Sequence, residues 1–558
     1  MIENFEINSK EIDKIKKISK EERDFRINNL NLFNKKGFPN KKQEDWKFSD
    51  LREIVRKNFK KLNVNKANSE VKKVSPIKDF DHNYIVVVNG KLNSSNFKFE
   101  EKNKISIKNF QNDNFLQENK DNPLICLNHA LSEKGYHVEV EDNYKFKKAL
   151  IIYNLFTKDL KDNILNSRNK IKIGKNSELH TIDLVINDSK YKFINNVYEN
   201  IILENNAVYK SICIQNDKSE GYFHKFSKNK LSSKSKYSSF IFPSGLKFNK
   251  LDLEFNLEGK DSECIVQSAS FLNKNDHQEI KTRMNHLAPS CKSYQKVKNV
   301  LSSDGQGVYQ GKIYVKDIAQ KTNAYQLSKA LLLSDSSEFN SKPELEIYAD
   351  DVKCSHGATS GSVDEDSIYY LMTRGLNRKE AVKLLIDGFL NEVVDMIKSN
   401  SVKKFVKRKL EEQIHKLDQH LLDKESILRS TPTILPTNGW ITSYFGHRIS
   451  PTAGVKKMHE GLDVGANFGT EILAPADGIV TFAGRKAGFG LFVQIDHGYG
   501  IETIYAHSQK IITKSGNKVK RGDLIAKVGS TGASTGPHLH YEVRINGTAV
   551  DPLYFVLE

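Results

Sequence analysis

Hydrophobic and polar positions follow different periods in successive stretches of the chain. Over residues 1–60, apolar residues stand at helical spacing among charged ones: Ile12, Ile15 and Ile18, then Leu30, Leu32 and Phe33. This predicts a small helical unit ending near Trp46. From about 80 to 355 the period shortens to two. The runs NYIVVVNG, KALIIYNLF, ELHTIDLVI, NIILENNAVYKSICIQ, LDLEFNLEG and ECIVQSASFL alternate, with Asn, Asp, Ser and Gly between them. They predict many short strands without intervening helices, hence a sandwich, a barrel or a β-solenoid. No repeat of fixed length selects among the three.

Helical spacing returns at 364–398, where Ala381, Leu384, Leu385, Phe389 and Val393 share one face. A second helical run at 401–428 carries a stripe of Leu410, Ile414, Leu417, Leu421 and Leu428 among Lys and Glu. It reads as a lone amphipathic helix or a short coiled coil. STPTILPTN, with Pro432 and Pro436, follows as a linker. Beyond it, GWITSYFG, GIVTFAG, LFVQIDHG and HLHYEVRING are strands between glycine turns. The expected fold is mainly β and multidomain. Its parts are 1–75 (helical), 76–362 (β), 363–400 (helical), 401–430 (helical linker) and 431–558 (all-β).

Composition sharpens the last boundary. Residues 431–558 hold 18 of the 32 Gly and 6 of the 12 Pro, and none of the five Cys. Their net charge is +2, which leaves +15 of the total +17 for the rest. At 558 residues the chain exceeds one compact core, and 38% apolar content excludes wholesale disorder. No stretch of 18 or more apolar residues occurs, so no membrane span is expected. The start, MIENFEINSKEIDKIKK, shows no secretory signal. Five Cys without a CxxC pair fit a reducing cytosol. Of the 86 basic residues only 14 are Arg, scattered with Lys among acidic residues and without a nucleic-acid-binding motif. A solvated surface explains that charge better than a nucleic-acid groove.

The strongest chemistry lies in the C-terminal part. His459 and Asp463 stand four apart in MHEGLDVG, His538 and His540 two apart in TGPHLHYEV, and His507 sits in IYAHS. A catalytic zinc wants three N/O ligands and an open position. An H-x-H on a strand points both rings to one face. The candidates are therefore His459, Asp463 and one of the 538/540 pair as ligands. The other His of the pair, with His507, is left for proton transfer or transition-state stabilisation. Residues 436–555 resemble the lysostaphin/LytM-type zinc metallopeptidases, which cleave peptide crosslinks of peptidoglycan. GWITSYFGHRISP, MHEGLDVGANFGTEILAPADGIV, GFGLFVQIDHGYGIETIYAHS, VKRGDLIAKVGSTGASTGPHLHYEVRING and DPLYF carry the resemblance. It implies that His459, Asp463 and His540 bind Zn2+. It also implies that His507 and His538 are catalytic, activating water and stabilising the tetrahedral intermediate.

In DDVKCSHGATSG, Cys354 and His356 are two apart on an expected strand. Thiolate and imidazole can bind iron or an iron–sulfur cluster, or act as a nucleophile. On these two residues alone, a buried structural Cys beside a turn His is the favoured reading. The surrounding text resembles the SufB/SufD family of iron–sulfur cluster assembly proteins, most of all its SufD branch. GVYQGKIYVKDIAQKTNAYQLSKALLLS, SKPELEIYADDVKCSHGATSG and VDEDSIYYLMTRGLNRKEAVKLLIDGFLNEVV carry this, with GFPNKKQEDWKFSDL, LNHALSEKG and HLAPS upstream. The resemblance spans about 1–410. It implies a right-handed parallel β-helix between helical ends, and a scaffold complex with SufB-like and SufC-like (ATPase) subunits. It places Cys354 and His356 near a SufB–SufD interface where an iron–sulfur cluster forms transiently, and the SufC contact on the helices at 366–398. No G-x4-GK[ST] occurs, in keeping with a non-enzymatic scaffold. Cys126, Cys213, Cys264 and Cys291 read as structural.

Three readings follow. The chain is a cytoplasmic SufD-like subunit fused to a zinc metalloendopeptidase domain. Alternatively it is a peptidoglycan hydrolase with an accessory N-terminal module, or an accidental joining of two neighbouring genes. The motif run at 305–395 speaks against the second.

Overall fold

The computed structural model describes residues 6–15, 18–64, 74, 76–110, 121–215, 217–395, 397, 399–449 and 454–556. Side chains are described for the same residues apart from 413 and 415–425. The chain forms two compact units, 1–414 and 415–558.

In the first unit the chain coils as a β-solenoid. Consecutive strands alternate between two parallel sheets. Asn163–Ile173, Ile194–Leu203, Ser219–Leu231, Leu246–Leu257, His277–His286, Gln306–Val315 and Glu338–Ile347 lie in order in one. Leu150–Phe156, Glu178–Asn187, Val208–Gln215, Lys236–Pro243, Glu263–Leu272, Lys292–Leu301, Thr322–Leu332 and Val352–Ser362 lie in order in the other. Each turn adds one strand to each sheet. The offset between paired residues ranges from 26 residues (Tyr222 to Phe248) to 32 (Gln306 to Glu338). This spread is why no fixed repeat shows in the sequence.

The corners repeat even though the lengths do not. Asn143, Asn176, Asn206, Lys234, Asp261, Ser290 and Lys321 all take positive φ, one per turn. Asn and Asp tolerate that conformation better than most residues. Asn176 Nδ2 donates to Asn143 Oδ1 at 2.8 Å, and Asn206 Nδ2 donates to Asn176 Oδ1 at 2.9 Å. The core lies between the sheets and includes Ile152, Ile171, Ile201, Tyr209, Phe255, Ile280 and Ile313.

The N-terminal helices lie against this coil. Lys20–Lys36 is capped by the Ser19 hydroxyl and Leu51–Asn58 by the Asp50 carboxylate. Helix therefore continues past Trp46, where the sequence pattern ended it. Trp46, only 1% exposed, covers the Lys250 ammonium at 4.8 Å from its ring centre. Lys250 in turn pairs with buried Glu279 and donates to the Asp45 carbonyl at 2.9 Å. A helix at Pro123–Leu131 corrects the expectation of strands alone. PLICLNHAL is buried on every side and so shows no period. Asn128 Nδ2 ties it to the Ser167 and Asn196 carbonyls at 2.9 and 3.0 Å.

After the coil come helices Glu365–Thr373 and Arg378–Val394. The second buries Ala381, Ile386, Leu390, Val393 and Val394, whereas Leu384 is half exposed. The buried face is thus turned from the one read in the sequence. Lys296 and Lys298 of the coil pair with Glu392 of this helix. The next helix, Asn400–Ser430, is not a lone one. Its Val402, Phe405, Val406, Leu410 and Ile414 are buried, and Arg408 pairs with Asp79 at 2.6 Å. Leu428 is 56% exposed, while the Leu417 and Leu421 side chains lie outside the described residues.

The second unit is all-β. Its main antiparallel sheet runs Trp440–Ser443, Leu462–Gly465, His538–Ile545, Ile501–Ser508, Gly490–Gly498 and Gly478–Lys486. Leu539, Tyr541 and Val543 point into the core with Val493, Ile495 and Tyr505. By alternation, His538, His540, Glu542 and Arg544 occupy the opposite face.

Candidate metal centre

The sheet brings the sequence motifs together. Asp463 and His540 are directly opposed on neighbouring antiparallel strands, and Ala506, next to His507, opposes His540 from the other side. His459 ends the strand Lys456–His459, four residues before Asp463. Gly461 between them is required by space. A Cβ there would stand 2.5 Å from the Tyr541 carbonyl oxygen and 2.8 Å from His540 Cε1.

His459, Asp463 and His540 are all buried, and one ligand atom from each lies within 4.8 Å of the others. His459 Nε2 is 3.1 Å from Asp463 Oδ1 and 3.0 Å from His540 Nδ1. His540 Nδ1 is 2.8 Å from Asp463 Oδ1. The remaining atom of each group is occupied elsewhere. His459 Nδ1 donates to the Tyr444 carbonyl at 2.8 Å. Asp463 Oδ2 accepts from Arg448 Nη2 at 2.8 Å, and His540 Nε2 donates to Glu542 Oε1 at 3.0 Å. Two imidazole nitrogens and one carboxylate oxygen therefore face a common point. That donor set fits Zn2+ with a position left open.

Electrostatics favours a cation at that point. Burial opposes ionisation of Asp463, but the His459 and His540 hydrogen bonds hold its carboxyl far below the usual range. Burial likewise opposes charge on His540, yet Asp463 and Glu542 together raise it to about 9.

His538 and His507 flank the centre, their ring centres 4.8 Å apart. His538 Nδ1 donates to the Gly536 carbonyl at 2.8 Å, and His507 Nδ1 to the Thr531 carbonyl at 2.7 Å. In the neutral ring of each, Nε2 is then the nitrogen with the lone pair. His538 Nε2 is 3.8 Å from Asp463 Oδ1. Burial lowers His507, outweighing its bond to Thr531. His507 also holds φ at +61°, a left-handed conformation unusual outside glycine and often found at functional sites. No motif in the sequence marks Arg448 or Glu542. Period two in HLHYEVR carried the signal for Glu542.

In the first unit, Cys354 and His356 lie on Val352–Ser362, the outermost strand of its sheet among the described residues. Cys354 is half-buried against the coil interior, and burial raises its thiol. His356 is exposed. Among the described residues no third ligating group joins them. All five Cys are free thiols, and burial raises Cys126, Cys213, Cys264 and Cys291 too.

The fold and site define a two-part protein: a β-solenoid with helical ends, and an all-β domain holding a His/Asp centre of metallopeptidase type. Residues 2–152 match the SufBD protein N-terminal region, 156–389 the SufBD core domain of SUF system FeS cluster assembly, and 457–552 peptidase family M23. The chain thus belongs to the SufB/SufD family over its first part and carries an M23 peptidase domain at its C-terminal end. It is 25% identical over 387 residues to the iron-sulfur cluster assembly protein SufD of Escherichia coli, covering 66% of this chain and 88% of that one. It is 50% identical over 117 residues to the DD-carboxypeptidase/endopeptidase Mpg of Neisseria meningitidis, covering 21% of this chain and 27% of that one. The chain thus spans about a quarter of the length of the first curated relatives it matches. The solved catalytic domain of lysostaphin from Staphylococcus simulans is 33% identical, covering 21% of this chain and 92% of that one, with a TM-score of 0.20. No described helix is long and apolar enough to cross a membrane.

Proposed function

We propose that the chain is a SufD-like subunit of an iron–sulfur cluster scaffold that also carries a zinc metalloendopeptidase acting on peptidoglycan-type crosslinks. The convergence of His459, Asp463 and His540, with two further imidazoles beside them, carries the peptidase reading. Bound zinc supplies Lewis acidity toward the scissile carbonyl and makes water a better acid. His538 and His507 do the rest. In its neutral form each ring turns the Nε2 lone pair outward, so either takes the proton of the attacking water. The imidazolium so formed hydrogen-bonds the oxyanion and then passes that one proton to the departing amine. The Gly536 and Thr531 carbonyls hold the rings in this tautomer. The test is hydrolysis of crosslinked peptidoglycan peptides by the full chain. No cleavage of any crosslink by zinc-loaded protein refutes the substrate reading.

For the first unit, the partners are SufB-like and SufC-like subunits. The open strand carrying Cys354 and His356 meets the SufB-like chain, where the cluster forms as cargo. Two ligands on an edge, without a third nearby among the described residues, suit a site completed by another chain. Five free thiols suit the reducing cytoplasm. Co-expression with both subunits and pull-down on this chain tests it. Failure to co-purify with well-folded partners refutes it.

A further inference from the structure

This inference rests on the zinc-peptidase reading and concerns how His540 is held. His538, His540, Glu542 and Arg544 follow one another at period two on the strand His538–Ile545. Glu542 is a carboxylate only 1% exposed. Burying such a group is costly unless both oxygens are engaged. Here they are engaged separately. Oε1 accepts from His540 Nε2 at 3.0 Å, and Oε2 accepts from Arg544 Nε at 2.8 Å. Arg544 Nη2 also reaches Glu460 Oε2 at 2.7 Å, beside His459 in the chain.

An imidazole ligand must offer a lone pair at one nitrogen while its proton stays on the other. His540 Nδ1 faces Asp463 Oδ1 and His459 Nε2 at 2.8 and 3.0 Å. Its Nε2 faces Glu542 and, among the described residues, nothing else that accepts a proton within bonding distance. We propose that Glu542, anchored by Arg544, is a positioning residue that keeps the His540 proton on Nε2 and presents Nδ1 to the metal. Glu542 lies behind the ring and touches no reacting atom.

The test compares the full-length parent with Glu542→Ala and Glu542→Gln. Zinc affinity is read by chelator competition, and ligand geometry by the absorption bands of the cobalt(II)-loaded protein. Alanine should weaken zinc binding by about tenfold or more and shift the cobalt bands. Glutamine, whose Oε1 accepts the same N–H, should recover most of the affinity and the parent bands. Alanine binding within about twofold of the parent overturns the proposal, since a group that orients a ligand contributes more than that. So does glutamine binding as weakly as alanine in a protein that melts like the parent. If the alanine variant does not fold, Arg544→Gln takes its place. It should weaken zinc in the same direction, and unchanged affinity overturns the proposal. A parent that binds no zinc refutes the peptidase reading itself, a separate outcome from these.

Discussion

Replacing Lys250 with methionine should destabilise the first unit. Its ammonium is wholly buried, covered by Trp46, and paired with Glu279 and with Asp252 at 3.5 Å. Methionine fills similar volume but leaves two buried carboxylates without their cation. Removing one partner of a buried pair costs about 3–5 kcal/mol. With a urea slope of about 3 kcal/mol per molar, the midpoint should fall by about 1 M or more. The chain has two tryptophans, Trp46 and Trp440, so a Trp440→Phe background leaves Trp46 as the reporter. The pH dependence adds a second readout. Burial pushes Glu279 up, but Lys250 and its hydrogen-bond donors pull it to about 2 from an ordinary 4.5. A carboxyl held low contributes stability that is present above its unfolded pKa. That stability is lost as pH falls through the folded pKa. The gap between parent and variant should therefore narrow as pH drops from 4.5 toward 2. An unchanged midpoint, or a gap independent of pH over that range, refutes the reasoning.

The other predictions concern the metal centre. His538→Ala should keep the zinc and lose about 10²–10⁴-fold in hydrolysis, because it removes a proton acceptor and no ligand. Rate and zinc content measured on one sample check this. Gly461→Ala should weaken zinc binding, since its Cβ would meet the Tyr541 carbonyl and the His540 ring at 2.5 and 2.8 Å. Chelator competition that shows parent affinity counts against so close an approach of these strands.

The cluster that makes the candidate metal centre was legible because its motifs are local. H-x3-D and H-x-H each fix two side chains on short elements, and the sheet had only to bring His459, Asp463 and His540 together. Glu542 was as near in sequence, and period two puts it on the face of His540, but alternation alone does not say that the two side chains bond. The many strands were legible from alternation, yet the solenoid was not, because its turns vary from 26 to 32 residues. The helix Pro123–Leu131 escapes the pattern because burial on all sides removes the period that marks a helix. Spacing alone puts Leu384 on the buried face. Ile386 and Leu390 take that face instead, since the helix lies on the coil with Glu392 drawn to Lys296 and Lys298.

One chain bearing a zinc centre at its C-terminal end is the central proposal. Native mass spectrometry of the full 63.6 kDa chain, beside His540→Ala, tests that most directly. The parent polypeptide should carry about one zinc and the variant none. Equal metal content in the two, or none in freshly purified parent, would contradict it.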